Sequence, residues 1–93
     1  MKTTHNGKRY DSDKCETLAE REHYSYSNNY SGTTSIERAT DGTLLILTRS
    51  NGQDIYMQDA FYVPEEDVCF DSYDMTDAQE TRCAELGLIE IVK

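Results

Sequence analysis

The sequence predicts a single small α+β domain: an antiparallel sheet of three to five strands with one or two helices, the C-terminal helix packed on the sheet. Three observations predict it. Asp41-Gly42 separates two strand-like runs, Thr34–Ala39 and Thr43–Arg49, and supplies the positive φ that a tight hairpin turn requires. Thr76-Asp-Ala-Gln79 is a capping-box pattern that opens a helix, and Gly87 stands where a left-handed helix stop is expected. The chain has 93 residues, enough for one domain over 1–93 that buries about 60–65% of its unfolded surface. Seven Tyr, two Phe and a Leu/Ile/Val segment argue against disorder, although the apolar fraction is only 37%. The expectation is a thin core with mobile ends.

Taken in order, Asn6-Gly7 signals a reversal, after which Lys8-Arg9-Tyr10 begins a short strand. Ser12–Glu22 is helix-permissive, with Cys15, Leu18 and Ala19 at helical spacing, and a strand is the competing reading. Residues 24–32 read as an exposed Ser/Asn/Gly loop carrying Tyr24, Tyr26 and Tyr30; alternation would instead put Tyr24 and Tyr26 on one strand face. The apolar run Leu44–Leu47 suits a central strand covered on both faces. Ser50-Asn51-Gly52 leads into Gln53–Gln58, and Ala60–Val63 follows, before Pro64 ends the strands. The helix spans roughly 77–86, with Ala78, Cys83 and Leu86 on its apolar face, helped by Met75. Leu88–Val92 alternates as a final strand at a sheet edge or against a partner's sheet.

Charge divides the chain. Residues 1–50 carry seven basic and seven acidic side chains, whereas residues 51–93 carry two and eleven, so the whole net charge of −9 lies in the second half. Glu65, Glu66, Asp67, Asp71, Asp74, Asp77 and Glu80 follow one another with no Lys or Arg until Arg82. Such a block repels itself and weighs against direct contact with nucleic acid or anionic membranes, which need basic residues. A basic partner is the complementary expectation. If Asp74, Asp77 and Glu80 share a helix, they form a drifting stripe at about 4.5 Å axial intervals; a duplex carries about one phosphate per 1.7 Å of axis, and with Glu65, Glu66, Asp67 and Asp71 on the preceding loop the stripe can make a phosphate-like surface. The plainer reading is a solvated acidic face that favours solubility. Tyr24, Tyr26 and Tyr30 divide in the same way: a Tyr/Ser/Asn loop has the composition of a contact surface, or the rings complete a thin core.

Other chemistry finds little support. His5 and His23 are not spaced with Cys as in a zinc site, and Asp11-Ser-Asp13 and Asp71-Ser-Tyr-Asp74 do not continue as a calcium loop. Cys15, Cys69 and Cys83 are odd in number and widely spaced, consistent with reduced thiols, and Cys69 and Cys83 suit the core. There is no Gly-x-Ser-x-Gly elbow or Gly-rich phosphate loop, and nothing in the spacing requires Cys15 to meet His23. No enzyme, cofactor or metal is therefore expected. No apolar run approaches the roughly 18–20 residues of a membrane helix, and Met1–His5 lacks a signal-peptide character, so a cytoplasmic location is expected.

The stretch Asn6-Gly-Lys-Arg-Tyr-Asp-Ser-Asp-Lys-Cys-Glu-Thr-Leu-Ala-Glu20, then Thr40-Asp-Gly-Thr-Leu-Leu-Ile-Leu47, then the acidic helix at Asp74–Leu86, resembles small acidic proteins of phages and mobile elements, of the anti-CRISPR type. The chain departs from that pattern in lacking an aromatic residue near the helix end and in carrying Leu88–Val92 beyond it. The resemblance implies an inhibitor that acts in the host cytoplasm and binds a Cas protein, either occluding its nucleic acid or trapping an inactive state; the charge pattern adds a basic nucleic-acid-binding surface as the target and DNA mimicry as the route. The acidic residues and Tyr24, Tyr26 and Tyr30 are assigned to the partner surface on charge and composition alone. The alternative is a non-enzymatic assembly module that homodimerises by pairing an exposed strand, Leu88–Val92 or Lys8–Tyr10.

Overall fold

The computed structural model describes residues 1–24, 29–52 and 57–92. Strands β1 (Lys2–His5) and β2 (Lys8–Asp11) form a hairpin over Asn6-Gly7, both at positive φ (51° and 77°), as a two-residue reversal requires. Met1 is tied to the end of this hairpin: its ammonium donates to Ser12 Oγ at 2.8 Å, and the Ser12 N–H donates to its carbonyl. A 3-10 turn, Ser12–Lys14, then leads into β3 (Glu16–Tyr24), β4 (Tyr30–Arg38), β5 (Leu44–Ser50) and β6 (Ala60–Tyr62). These four run antiparallel in the order β3-β4-β5-β6, and helix α1 (Asp77–Glu85) follows. The small α+β architecture predicted from the sequence is the one observed.

Between Ser12 and Glu22 the strand reading holds and the helical one does not. The register of β3 against β4 shifts between Thr17 and Ala19, so neighbours Leu18 and Ala19 are both buried. That bulge breaks the two-residue alternation and imitates helical spacing in the sequence. Pairing with β4 decides the conformation.

Register separates the faces of the four-stranded sheet. On one face, Tyr10 of β2 packs with Ala39, Leu45, Leu47 and Phe61. On the other, Leu18, Ala19, Ile36 and Ile46 meet Cys83 of α1, with Val68, Phe70, Tyr73 and Met75 packed around them. The inner strand β5 thus feeds both clusters, as its apolar run predicts. Helix α1 begins in the predicted capping box, Gln79 N–H to Thr76 Oγ1 at 3.2 Å and Thr76 N–H to Gln79 Oε1 at 2.9 Å.

Four expectations are corrected. Leu88–Val92 forms no strand: Leu88 and Ile89 are drawn into the helix-side cluster while Ile91 and Val92 face solvent. Ala78 is exposed, because α1 turns Cys83 and Leu86 to the sheet. Cys69 is exposed and only Cys83 is in the core. Met57 and Gln58 lie outside any strand, and the rest of the expected Gln53–Gln58 strand lies outside the described residues. Among the described residues, no helix is long and apolar enough to cross a membrane.

Candidate partner-binding surface

The acidic segment is a connection with apolar anchors. It leaves β6 at Pro64, crosses the helix-side face of the sheet, and reaches the outer edge of β3 at Asp74. Val68, Phe70, Tyr73 and Met75 pack into the core between the charges, leaving Glu65, Glu66, Asp67, Asp71 and Asp74 exposed. Asp77 and Glu80 are exposed in the first turn of α1, where the positive end of the helix dipole favours them. With adjacent strands about 4.8 Å apart, the segment spans roughly 14 Å from edge to edge. The seven carboxylates therefore form a belt. The expected helical stripe of Asp74, Asp77 and Glu80 does not exist as such, because Asp74 lies outside α1 and pairs with a strand.

That pairing brings a strand carboxylate against a belt carboxylate. Asp74 and Glu20 exchange both backbone hydrogen bonds, at 2.7 and 3.0 Å. Antiparallel partners share a sheet face, so the two carboxylates lie side by side, with Glu22 two residues along β3. Together with Met75, Thr76 and Gln79 they line a depression of about 400 Å³ that, among the described residues, has no basic side chain in its lining. On the opposite face of the same edge, Arg21 lies over the Tyr73 ring at 5.4 Å and its Nη1 donates to Ser72 Oγ at 3.2 Å, fixing the segment in place.

Arg82, in the helix that follows the segment, is committed elsewhere. Arg82 Nε donates to both oxygens of Glu16, at 2.9 and 3.2 Å, and Nη1 reaches Glu85 at 3.7 Å; Glu16 chiefly raises the Arg82 pKa. Among the described residues, none of the seven belt carboxylates is in an ion pair.

Tyr24 and Tyr30 are exposed, 58% and 44%, at the far ends of β3 and β4, with ring centroids 6.2 Å apart in an edge-on arrangement. Neither completes the core. The Tyr24 hydroxyl donates to Glu22, which raises its pKa and joins the tyrosine pair to the acidic depression. Tyr26 lies outside the described residues. Sequence reasoning missed Glu20 and Glu22. Their two-residue spacing was the available signal, and it marks one strand face only once 12–22 is read as a strand.

The remaining reactive groups do not converge. Cys15 and His23 stand at opposite ends of β3, roughly 25 Å apart along the strand. Burial raises the Cys15 and Cys83 thiols and lowers His23, whose Nε2 is 2.7 Å from Thr34 Oγ1. No group of three or more His, Cys, Asp or Glu side chains among the described residues is placed to hold a metal ion. No protein-family model matches the chain, and neither a curated protein nor a solved structure matches it.

Proposed function

We propose that this protein is a non-enzymatic inhibitor that lays an acidic face against the basic, nucleic-acid-binding surface of a partner in the cytoplasm and blocks it. The resemblance to phage anti-CRISPR proteins makes a Cas effector the partner, with carboxylates standing in for the phosphates of its nucleic acid. The observation that carries the reading is the belt itself: seven exposed carboxylates without ion-pair partners among the described residues, held in place by half-buried apolar neighbours and extended at the β3 edge by Glu20 and Glu22. A surface needed only for solubility does not require like charges placed in direct cross-strand register, which costs stability. Exposed Tyr24 and Tyr30 add large contact area at low rotamer cost beside it. The assembly alternative loses one of its two edges, since Leu88–Val92 is not a strand.

The test is a pull-down from a lysate containing CRISPR effectors, at low and high salt, followed by a target-cleavage assay on the captured effector. Salt-sensitive capture of a Cas protein and loss of cleavage, both abolished by Glu66→Lys/Asp67→Lys/Asp71→Lys, are expected. Capture that ignores salt and survives those reversals would remove the electrostatic mechanism.

A further inference from the structure

The hairpin-side face of the sheet is only partly covered. Beyond Leu45, Leu47 and Phe61, it opens into a polar groove of about 310 Å³, lined by Thr17, Glu20, Tyr30, Ser35, Glu37 and Arg49 among others. Register puts Glu37 of β4 opposite Thr17 of β3 and Ser35 opposite Glu20, so all four side chains share this face. Glu37 is the anomaly. It is 3% exposed, its Oε1 accepts from the Thr17 hydroxyl at 3.0 Å, and its Oε2 is buried with no hydrogen-bond partner. A carboxylate is normally left in that condition only at considerable cost. Arg49 lines the same groove but is exposed and, among the described residues, makes no ion pair with Glu37 or Glu20.

We infer that this groove is a seat for one arginine side chain of the basic partner, whose guanidinium is received by the free oxygen of Glu37 and by Glu20. This deepens the proposed function and rests on it. Glu37 and Glu20 are diagonal neighbours on adjacent strands, roughly 7–8 Å apart, which leaves room for one planar cation between them. Ser35 stands opposite Glu20 on the same face, and Thr17 Oγ1, having donated its proton to Glu37, accepts on its remaining lone pairs. A guanidinium suits a buried carboxylate better than an ammonium does: it is more weakly hydrated and offers several donors in one plane. The volume lies at the small end of ligand sites and fits one long side chain, not a bulky molecule. The two carboxylates outnumber the single Arg49, so the seat favours a cation.

The probe is N-acetylarginine amide, titrated into the isotope-labelled protein while backbone amide signals are followed. Saturable shifts confined to residues 17–20, 33–37 and 47–49 are expected. N-acetylcitrulline amide, of the same shape without the charge, is expected to leave them unmoved. Glu37→Gln is expected to weaken the arginine titration about tenfold or more, with its other amide signals in place. No localised shift with the arginine probe, or equal shifts with citrulline, overturns the inference even if the variant fails to fold. Glu65→Lys/Glu66→Lys/Asp67→Lys separates the two claims, since it is expected to spare the arginine titration. Loss of partner capture with the probe still bound leaves the seat standing, and capture by a protein that ignores the probe removes only the seat.

Discussion

Glu20 and Asp74 exchange both hydrogen bonds of an antiparallel pair, so a loop carboxylate and a strand carboxylate stand side by side at the edge of β3. Their backbones attract and their side chains repel. The packing of Tyr73 and Met75 and the grip of Arg21 on Ser72 and Tyr73 outweigh that repulsion.

Asp74→Asn is expected to raise stability by up to about 1 kcal/mol at low ionic strength, because directly opposed like charges cost about that much. The gain should fade at high salt, where exposed charges are screened. Denaturant unfolding at two salt concentrations measures it. A loss of stability at low salt would show that the carboxylate itself holds the edge.

Glu37 sets a pH dependence of opposite sign to that of an ordinary paired acid. Burial raises its pKa above 4.5, against the lowering effects of the Thr17 hydrogen bond and of Arg49. The folded state therefore binds the proton more tightly than the unfolded chain. Its contribution is fully favourable below 4.5 and is lost as pH rises through the folded value. Glu37→Gln is expected to melt higher than the parent near neutral pH, with the difference closing toward about pH 4. A lower melting temperature for the variant at neutral pH would refute this.

Asp41 behaves in the usual direction. Its carboxylate accepts from the Thr43 N–H at 2.9 Å and the Tyr10 hydroxyl at 3.0 Å, and its pKa falls from 3.8 to about 2, chiefly through Thr43. The contribution is present above 3.8 and lost as pH falls through about 2. Asp41→Ala is expected to lower the melting temperature at neutral pH and to cost progressively less as the acid is titrated. Equal costs at neutral pH and at pH 2 would show that the effect is steric.

Gly32 lies in β4, paired with Ser50 of β5. A Cβ there would fall inside contact distance of the Arg49 carbonyl oxygen and of the Met57 side chain. Gly32→Ala is expected to destabilise by about 1–3 kcal/mol, the usual cost of overpacking, and to speed exchange of the β4–β5 amides. Unchanged exchange would mean that the strands separate freely at this point.

Much of the scaffold was legible in the sequence because it rests on local chemistry. Asn6-Gly7 and Asp41-Gly42 mark hairpins through backbone conformations that few residues adopt, and Thr76 with Gln79 marks a helix start through a hydrogen-bond exchange three residues long. The strand between Ser12 and Glu22 was legible only as one of two readings, because its bulge hides the alternation. The belt carboxylates were visible as a charge run, but their distribution was not.

The sequence by itself determined the turns, the helix start, the central apolar strand and the fact that all net charge follows residue 50. Tertiary structure decided which charges meet. It took the acidic segment across one sheet face, set Asp74 against Glu20, and buried Glu37 with a free oxygen. It also drew Leu88 and Ile89 into the core when the alternation of Leu88–Val92 promised a strand. The physical reason is range. Capping and turn preferences act within a few residues, whereas strand register and the burial of a side chain depend on segments dozens of positions away.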